Sequence, residues 1–472
     1  SWKIMNNILN RKKSKIVNSK FLKDGKMVTD SNIIAEEFNN YFVNVGNSLA
    51  SKISSCNISP LSYINKNVNS SFFIRPVVDS DLYKAVKLIK KDTPGWDDLT
   101  GTMLKFVVPY ISEPLLHIVN LSFTTGVVPR EIKIAKVVPI FKSGDASLFC
   151  NYRPISLLSI FSKVFERLMY FQLIDYIEKN QLLYKYQCAF REKYSTEIAL
   201  MSLVDKIIDT FENNRYGVGI FIDLAKAFDT VNHKILLDKL HCYGIRGICN
   251  DWFHSYLSDR SQYTVFNDTL SSHKKVNCGV PQGSILGPIL FILYINDLCN
   301  ISDKMFFLLF ADDTNIYIDG PDLNNLNVII NEEMDKLCTW FTANKLSLNV
   351  KKTNYIVFHN KYKKYIPNSM NVILNSCVIS EVDKTKFLGI IIDSKLSWKF
   401  HIDHICCKIS KSLYLISKAR KILASTYLIN LYYCFVNSYL QYGIFVWGSA
   451  VQTTLTKLVL LHKRVIRLLS GV

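Results

Sequence analysis

Two adjacent aspartates, Asp312 and Asp313, separate two short apolar segments, residues 305–310 (MFFLLF) and residues 316–318 (IYI). Apolar segments on either side of so short a connection predict a β-hairpin with both carboxylates at its tip. Neighbouring carboxylates repel each other unless a cation lies close to them. The pair therefore predicts a divalent-metal site. Two-metal nucleotidyl transfer is a chemistry that needs such a site, provided that a third carboxylate lies nearby.

Asp223 is the candidate for the third carboxylate, because it ends the apolar segment 218–223 (VGIFID). A glycine-bounded apolar run of this kind is typical of a buried central strand, which would bring Asp223 beside the hairpin. Asp223, Asp312 and Asp313 would then hold two Mg²⁺ ions about 4 Å apart, and Mn²⁺ could replace them. Each aspartate alone could instead be an ordinary strand-end or turn residue, and Asp313 could act chiefly by tuning the charge of the site.

Two neighbouring segments supply candidates for nucleotide binding. Phe228, on a helix predicted to follow the strand-end aspartate, could lie beneath an incoming sugar and exclude a 2′-hydroxyl, or it could be a core residue. Asp229 is expected to cap or pair locally. The block GVPQGSILGPILFILYINDL, residues 279–298, predicts a glycine-rich loop that enters an apolar helix. Its Gln282 could contact the nascent base pair or the nucleotide, and Gly283 would allow the backbone to approach a base pair closely.

Three basic residues could serve the triphosphate. Residues 136–159 predict a strand, a Ser-Gly-Asp turn and a second strand, on which Lys142 and Arg153 could grip phosphate oxygens. Surface hairpins also carry such cations without a function. Lys352 follows an alternating apolar segment and could act as the general acid that protonates the leaving pyrophosphate.

The chain is basic, with 57 Lys and Arg against 39 Asp and Glu and a net charge of +18 in 472 residues. Such a charge suits a surface that follows a polyanion, although a merely soluble basic protein would also carry it. The cysteines lack the paired spacing of a zinc site and predict free thiols in a reducing, intracellular compartment. No apolar segment approaches the roughly 20 residues of a membrane span, so no membrane association is expected.

Three regions are predicted along the chain. Residues 1–121 form an N-terminal extension with a small helical unit, residues 122–393 alternate helices and strands in an α+β domain, and residues 394–472 are mainly helical. The basic segment 1–26 could contact RNA or form a disordered tail. The opening Ser1, in place of methionine, suggests a fragment of a longer polypeptide.

Two amphipathic helices are predicted at the ends of the chain. The N-terminal one has apolar residues at helical spacing, namely Ile34, Phe38, Phe42, Val45 and Leu49. The C-terminal one, between residues 400 and 421, places Lys411 and Lys418 opposite its apolar face, where they could touch a duplex backbone or simply face water. It also carries His401, His404, Cys406 and Cys407, whose position within about two turns of one helix favours packing over a zinc site.

A collinear series of motifs resembles reverse transcriptases encoded by non-LTR retrotransposons of the jockey-like group. In order these are NYRPISLL, QCAFREKYST, FIDLAKAFDTV, GVPQGSILGP, FADD, LSLNVKKT and KFLGIIID. TPGWDD with MLK before the series and LQYGIFVWG after it extend the resemblance over nearly the whole chain. A series of this length in this order is specific.

The resemblance implies a right-hand polymerase fold, with fingers, a palm built on an antiparallel sheet and a helical thumb, preceded by a helical N-terminal extension. It implies RNA-directed DNA polymerisation, with Asp223, Asp312 and Asp313 as the metal-binding carboxylates. The partners would be an RNA template, dNTPs and a DNA primer at a nicked chromosomal target. Synthesis would take place in the nucleus, with a cytoplasmic ribonucleoprotein stage, and an endonuclease would precede this region in the same polypeptide.

Two positions depart from the family pattern, and two alternatives remain open. Ala189 stands where the QxGFR motif usually has glycine, and Ile132 stands where tryptophan commonly precedes Lys133. An RNA-directed RNA polymerase would share the carboxylates, but Phe228 and the PQG sequence argue against it. A decayed or domesticated copy could keep nucleic-acid binding without catalysis.

Overall fold

The structure is a computed structural model, and it describes residues 20–54, 56–64, 68–89, 93–360, 362–367 and 370–470. Most of the basic segment that could contact RNA, residues 1–19, lies outside the described residues. The described chain is a mixture of helices and strands, and the twelve cysteines are free.

The α-helices are α1 (Ser31–Ala50), α2 (Asp79–Lys87), α3 (Gly101–Thr125), α4 (Ile160–Lys179), α5 (Thr196–Glu212), α6 (His233–Cys242), α7 (Ile248–Leu257), α8 (Leu286–Tyr294), α9 (Leu323–Ala343), α10 (Lys399–Ala419), α11 (Ser425–Tyr432), α12 (Ser438–Gln441), α13 (Ile444–Trp447) and α14 (Gln452–Ser470). The strands are β1 (Phe21–Lys23), β2 (Lys26–Val28), β3 (Ile134–Phe141), β4 (Tyr152–Leu158), β5 (Tyr216–Ile222), β6 (Arg260–Phe266), β7 (Thr269–Leu270), β8 (Lys274–Val276), β9 (Phe306–Phe310), β10 (Asp313–Gly320), β11 (Asn354–Phe358), β12 (Ile373–Leu374), β13 (Cys377–Val378), β14 (Ser380–Glu381), β15 (Lys384–Phe387) and β16 (Ile390–Asp393).

The central sheet has the strand order β14-β11-β5-β10-β9. Strand β5 lies in its middle, antiparallel to both β10 and β11, and nearly all of its residues are buried. A strand covered on both faces must be apolar throughout, which is why VGIFI does not alternate with polar residues. The predicted central strand is therefore confirmed.

The predicted hairpin is confirmed as well. Strands β9 and β10 pair with Phe310 opposite Asp313, so the turn consists of Ala311 and Asp312 alone. Ala311 has a φ of 55°, the left-handed conformation that such tight turns require and that an alanine adopts only at a cost. The hairpin is thus held in a strained turn immediately before its two carboxylates.

A second sheet has the strand order β4-β3-β6-β7, with β8 paired to β6. Strands β3 and β4 form the predicted strand-turn-strand unit. The predicted N-terminal helix is confirmed as α1, but it is not a separate unit, because Phe38 and Phe42 pack with residues of β3, β4 and β6 in one apolar cluster. The predicted boundary at residue 121 falls inside α3, whereas the one at residue 393 coincides with the end of β16.

Helix α3 runs against an expectation from the sequence. Its 25 residues are long and apolar enough, by length and composition alone, to cross a membrane, and it is the one such helix in the described ranges. The expectation that no apolar segment approaches that length is therefore wrong for α3. One face of the helix is buried in the main core through Leu104, Val108 and Val119, and Ser122 accepts a hydrogen bond from the indole of Trp252.

The chain ends in helices, as predicted. Helix α10 buries Ile402, Ile405 and Ile409 and exposes Lys411 and Lys418. His401 is buried on the same face, where its Nδ1 accepts a hydrogen bond from the Ile391 N–H and its ring lies edge-on to Trp447. Burial lowers the pKa of His401 to about 4, so this histidine is a neutral packing residue.

Candidate active site

The fold brings the three predicted carboxylates to one end of the central sheet. Asp223 follows the last residue of β5, Asp312 lies in the hairpin turn, and Asp313 is the first residue of β10. Strands β5 and β10 are neighbours, with Ile222 paired to Thr314, so the residues that flank this pair share one edge. The three carboxylates are close enough to interact, because the charge of Asp223 raises the pKa of both Asp312 and Asp313.

The carboxylates are under electrostatic strain. Burial raises the pKa of Asp313 to about 6, and the charges of Asp312 and Asp223 contribute to that rise. Burial also raises the pKa of Asp312, and Asp223 again adds to it. Within the described part of the chain, neither side chain forms a contact ion pair. Clustered carboxylates provide the oxygen donors that Mg²⁺ and Mn²⁺ prefer.

The three side chains do not form a complete coordination shell for a metal ion. Among the residues that the structure describes, no group of three or more His, Cys, Asp or Glu side chains is arranged to hold a metal ion as it stands. The donor types and their shared edge fit a divalent ion. A divalent ion would also relieve the repulsion between carboxylates, which adds to the effect of burial in raising the pKa values of Asp312 and Asp313.

Asp223 is held by a residue that the sequence did not single out, Asn349. The Asn349 amide Nδ2 donates to Asp223 Oδ2 at 2.8 Å, and the Asn349 backbone N–H donates to the Asp223 carbonyl oxygen at 2.8 Å. Thr353 adds a third contact, since its hydroxyl accepts from the Asp223 N–H at 3.3 Å. One side of the Asp223 carboxylate is therefore fixed. The only sequence signal for Asn349 was its place in the motif LSLNVKKT.

Lys352 lies in the turn after Asn349 and is exposed. Its backbone N–H donates to the Asn349 carbonyl oxygen at 3.0 Å. The described residues show no hydrogen bond or ion pair between its ammonium and the three carboxylates. The role of Lys352 as a general acid stays a prediction.

A second unpredicted residue, Gln187, supports the hairpin. Its side-chain Oε1 accepts hydrogen bonds from the backbone N–H groups of Ala189, at 3.1 Å, and Ala311, at 3.4 Å. The bond to Ala311 stabilises the strained turn residue next to Asp312. Gln187 is fully buried, as is Ala189. Ala189 does not have a positive φ, so the methyl group that replaces the family's glycine causes no backbone strain here.

Two cations lie near the hairpin carboxylates. Lys142 and Arg153 are exposed at facing ends of β3 and β4, close enough to lower the pKa of Asp312 against the effect of burial. Lys226, which the sequence did not single out, lies near Lys142 and Arg153. Its ammonium donates to the carbonyl oxygens of Tyr152 and Cys150, at 3.1 and 3.3 Å. Lys226 is half-buried, and this partial removal from water lowers the pKa of its ammonium.

Phe228 lies on a 3-10 turn, Ala227–Asp229, and not on the predicted helix. That prediction is wrong because helix α6 begins only at His233, where the side chain of Asn232 caps it. The Phe228 ring stacks on Phe291 of α8, with ring centroids 4.6 Å apart, and remains half-buried. Both predicted roles stay open, because one face of the ring belongs to the core and the rest is accessible.

The Gln282 loop is fixed by protein contacts. The Gln282 amide Nε2 donates to Asp229 Oδ1 at 2.8 Å, across 53 residues of sequence, so the expectation that Asp229 caps or pairs locally is wrong for its side chain. Gly283 has a φ of 137°, and a Cβ there would collide with the carbonyl oxygen of Ser156 on β4. Glycine is therefore required for the approach of two protein backbones. The predicted approach to a base pair is not needed to explain it.

A large groove opens beside this loop. Its volume is about 990 Å³, and its walls come from α2, α4 and the start of α8. Cationic and aromatic side chains alternate in it, with Lys84 over the ring of Phe171 and Arg167 over the ring of Tyr170. Alternating cations and aromatic rings are typical of surfaces that bind single-stranded nucleic acid.

The chain is similar to a known protein family and to individual known proteins. The family model described as reverse transcriptase (RNA-dependent DNA polymerase) matches residues 142–392. The RNA-directed DNA polymerase from mobile element jockey of Drosophila melanogaster is 28% identical over 401 residues, which cover 82% of this chain and 43% of the relative. The probable RNA-directed DNA polymerase from transposon BS of the same species is 27% identical over 415 residues, 84% of this chain and 45% of the relative.

A more distant relative is a retrovirus-related Pol polyprotein from type-1 retrotransposable element R2 of Popillia japonica. It is 27% identical over 297 residues, 59% of this chain and 39% of the relative. The chain thus spans less than half the length of the curated relatives it matches.

Proposed function

This chain belongs to the reverse transcriptase (RNA-dependent DNA polymerase) family, and we propose that it is the RNA-directed DNA polymerase of a non-LTR retrotransposon. The family implies a polymerase palm, and the central sheet around β5 has the mixed α+β setting that a palm needs. The observation that carries the proposal is the meeting of Asp223, Asp312 and Asp313 at one edge of that sheet. In the finer assignment, α2 to α4 with the second sheet are fingers, and α10 to α14 are the thumb.

The site supports transfer of a nucleotide to a primer 3′-hydroxyl. Two divalent ions, when bound, would supply activation of that hydroxyl and stabilisation of the leaving pyrophosphate. The chain's own part is to hold and orient them. Asp223 and Asp312 would be ligands, with Asn349 fixing the first and Gln187 fixing the turn that carries the second. Asp313 would be the third ligand or would tune the charge.

The cations and the loop would place the nucleotide. Lys142 and Arg153 are exposed near the Asp312 carboxylate, and among the described residues neither side chain has a hydrogen-bond or ion-pair partner, so phosphate oxygens would supply one. Lys226, which lies near both, would add positive charge to the same region. Gln282 would contact the nascent pair or the dNTP, and Phe228 would lie beneath its sugar and select against a 2′-hydroxyl.

The proposed partners are an RNA template, a DNA primer and dNTPs. The cationic and aromatic groove beside the Gln282 loop and the net charge of +18 support nucleic-acid binding. We further propose target-primed synthesis in the nucleus, with a cytoplasmic ribonucleoprotein stage. An endonuclease in the N-terminal part of the full polypeptide is proposed from the greater length of the relatives.

Primer extension by the purified chain on an RNA template with Mg²⁺ tests the proposal. Extension should require dNTPs, and Asp312→Ala should abolish it, because loss of a metal ligand removes several kcal/mol of transition-state stabilisation. Asp205→Ala is the matched control, since Asp205 is exposed on α5. Equal use of rNTPs would indicate an RNA polymerase. Binding of the template without any extension would indicate a decayed copy, and either result would overturn the proposal.

A further inference from the structure

Gln282 is held from outside its own loop. Its side chain donates to Asp229 Oδ1 at 2.8 Å, across 53 residues of sequence, while its backbone carbonyl oxygen accepts from the Ser156 N–H at 2.9 Å. Both ends of the residue are thus fixed, one to β4 and the other to the turn that carries Phe228. Gln282 as a whole is half-buried, so part of the residue remains exposed.

The backbone of Asp229 is fixed on three sides. Its N–H donates to the Lys226 carbonyl oxygen at 2.8 Å, and its own carbonyl oxygen accepts from the Cys278 thiol at 3.1 Å. A Cβ at Gly279 would approach that oxygen to 2.8 Å, and one at Gly46 of α1 would collide with it. The Asp229 carboxylate therefore starts from a rigid anchor.

The Asp229 carboxylate makes few other interactions in the described chain. In the described chain its second oxygen, Oδ2, is buried without a hydrogen-bond partner, so the bond to Gln282 is the one that its side chain makes. Lys226 interacts with it only at longer range. Burying a carboxylate with a single partner costs free energy, and packing alone gives no reason to place one here.

We propose that Asp229 is a positioning residue that holds the Gln282 amide ready for the incoming nucleotide. The inference rests on the proposed function, because it gives Gln282 a nucleotide to meet. A glutamine side chain that is already fixed loses less conformational entropy when it binds, so Asp229 acts on nucleotide affinity. It does not touch the reacting atoms, so the chemical step is affected less.

Steady-state primer extension separates these effects. Asp229→Leu removes the acceptor and should raise the KM for dNTP by about tenfold, the factor that corresponds to one hydrogen bond near the top of the usual range. Its kcat should change by less than about threefold. Asp229→Asn keeps an acceptor oxygen at the same place and should restore the wild-type KM. Asp229→Ser, which is too short to reach Gln282, replaces the leucine variant if that variant does not fold.

A double substitution shows whether Asp229 works through Gln282. Gln282→Leu and Gln282→Leu with Asp229→Ser should have the same KM, because the second change removes a bond that is already lost. An unchanged KM in the serine or leucine variant, an asparagine variant as defective as they are, or additive effects in the double variant would each overturn the inference. Wild-type protein that extends no primer would instead overturn the proposed function.

Discussion

Asn349 holds Asp223 by two hydrogen bonds, one from its side chain and one from its backbone, both 2.8 Å long. The pair joins the end of the central strand β5 to the segment that leads into β11, its neighbour in the sheet. A carboxylate fixed on one oxygen presents the other in a defined direction. Asn349 thus serves a metal ligand without being one.

Asn349→Ala should weaken metal binding. The Asp223 carboxylate would lose its orienting donor, and we expect the Mg²⁺ concentration for half-maximal extension to rise by about tenfold or more. The measurement is a Mg²⁺ titration of primer extension at saturating dNTP. Lys351→Ala is the control, because Lys351 is exposed in the same turn. An alanine variant with the wild-type Mg²⁺ dependence would show that Asn349 only packs.

The positions of the three carboxylates could be predicted because each depends on local pattern. Asp223 ends an apolar run, and Asp312 and Asp313 interrupt one, so strand and turn rules place all three. Their supports could not be predicted in the same way. Asn349 and Gln187 act across long sequence separations, and nothing in their neighbours announces the contact.

The prediction of a helix directly after Asp223 was wrong for a related reason. Its apolar spacing is helical, but the backbone N–H groups of Gly279 and Val280 donate to the carbonyl oxygens of Val231 and Phe228. These tertiary bonds use the carbonyl groups that a continuous helix would need, so only a 3-10 turn forms. Propensity over a short window does not contain that information.

Phe228→Val should admit ribonucleotides. The smaller side chain removes the ring that would meet a 2′-hydroxyl, and we expect the preference for dNTP over rNTP to fall by about tenfold or more. Phe228→Tyr keeps the ring and its stacking on Phe291, and it should keep the preference. The measurement is the ratio of kcat/KM for the two nucleotides. Unchanged discrimination in the valine variant, with a lower Tm, would make Phe228 a core residue.

Gly46→Ala should damage the site from the N-terminal helix. Alanine in place of glycine normally stabilises a helix by about 1 kcal/mol. Here the new methyl group would collide with the Asp229 carbonyl oxygen and the Cys278 sulfur, and such overpacking costs about 1–3 kcal/mol. We therefore expect a lower Tm and a higher KM for dNTP.

Asn47→Ala is the matched control. It also introduces an alanine into α1, at the next position, where the side chain is exposed. Thermal melting and dNTP titration would be run on both variants. If Gly46→Ala raises the Tm, then helix propensity outweighs the contact, and α1 is not pressed against the site in solution.

The exposed lysines of α10 should contribute to binding of a template–primer duplex. Lys411 and Lys418 lie opposite the buried face of the helix, where phosphates could approach them. Each phosphate that a lysine neutralises adds about 0.9 to the slope of log K against log salt concentration. Replacing both lysines by alanine should therefore reduce that slope by about two and weaken binding equally for different sequences.

Lys105→Ala, at an exposed lysine of α3, is the control, and fluorescence anisotropy at several salt concentrations is the measurement. A slope that stays at the wild-type value would assign both lysines to a solvated helix face.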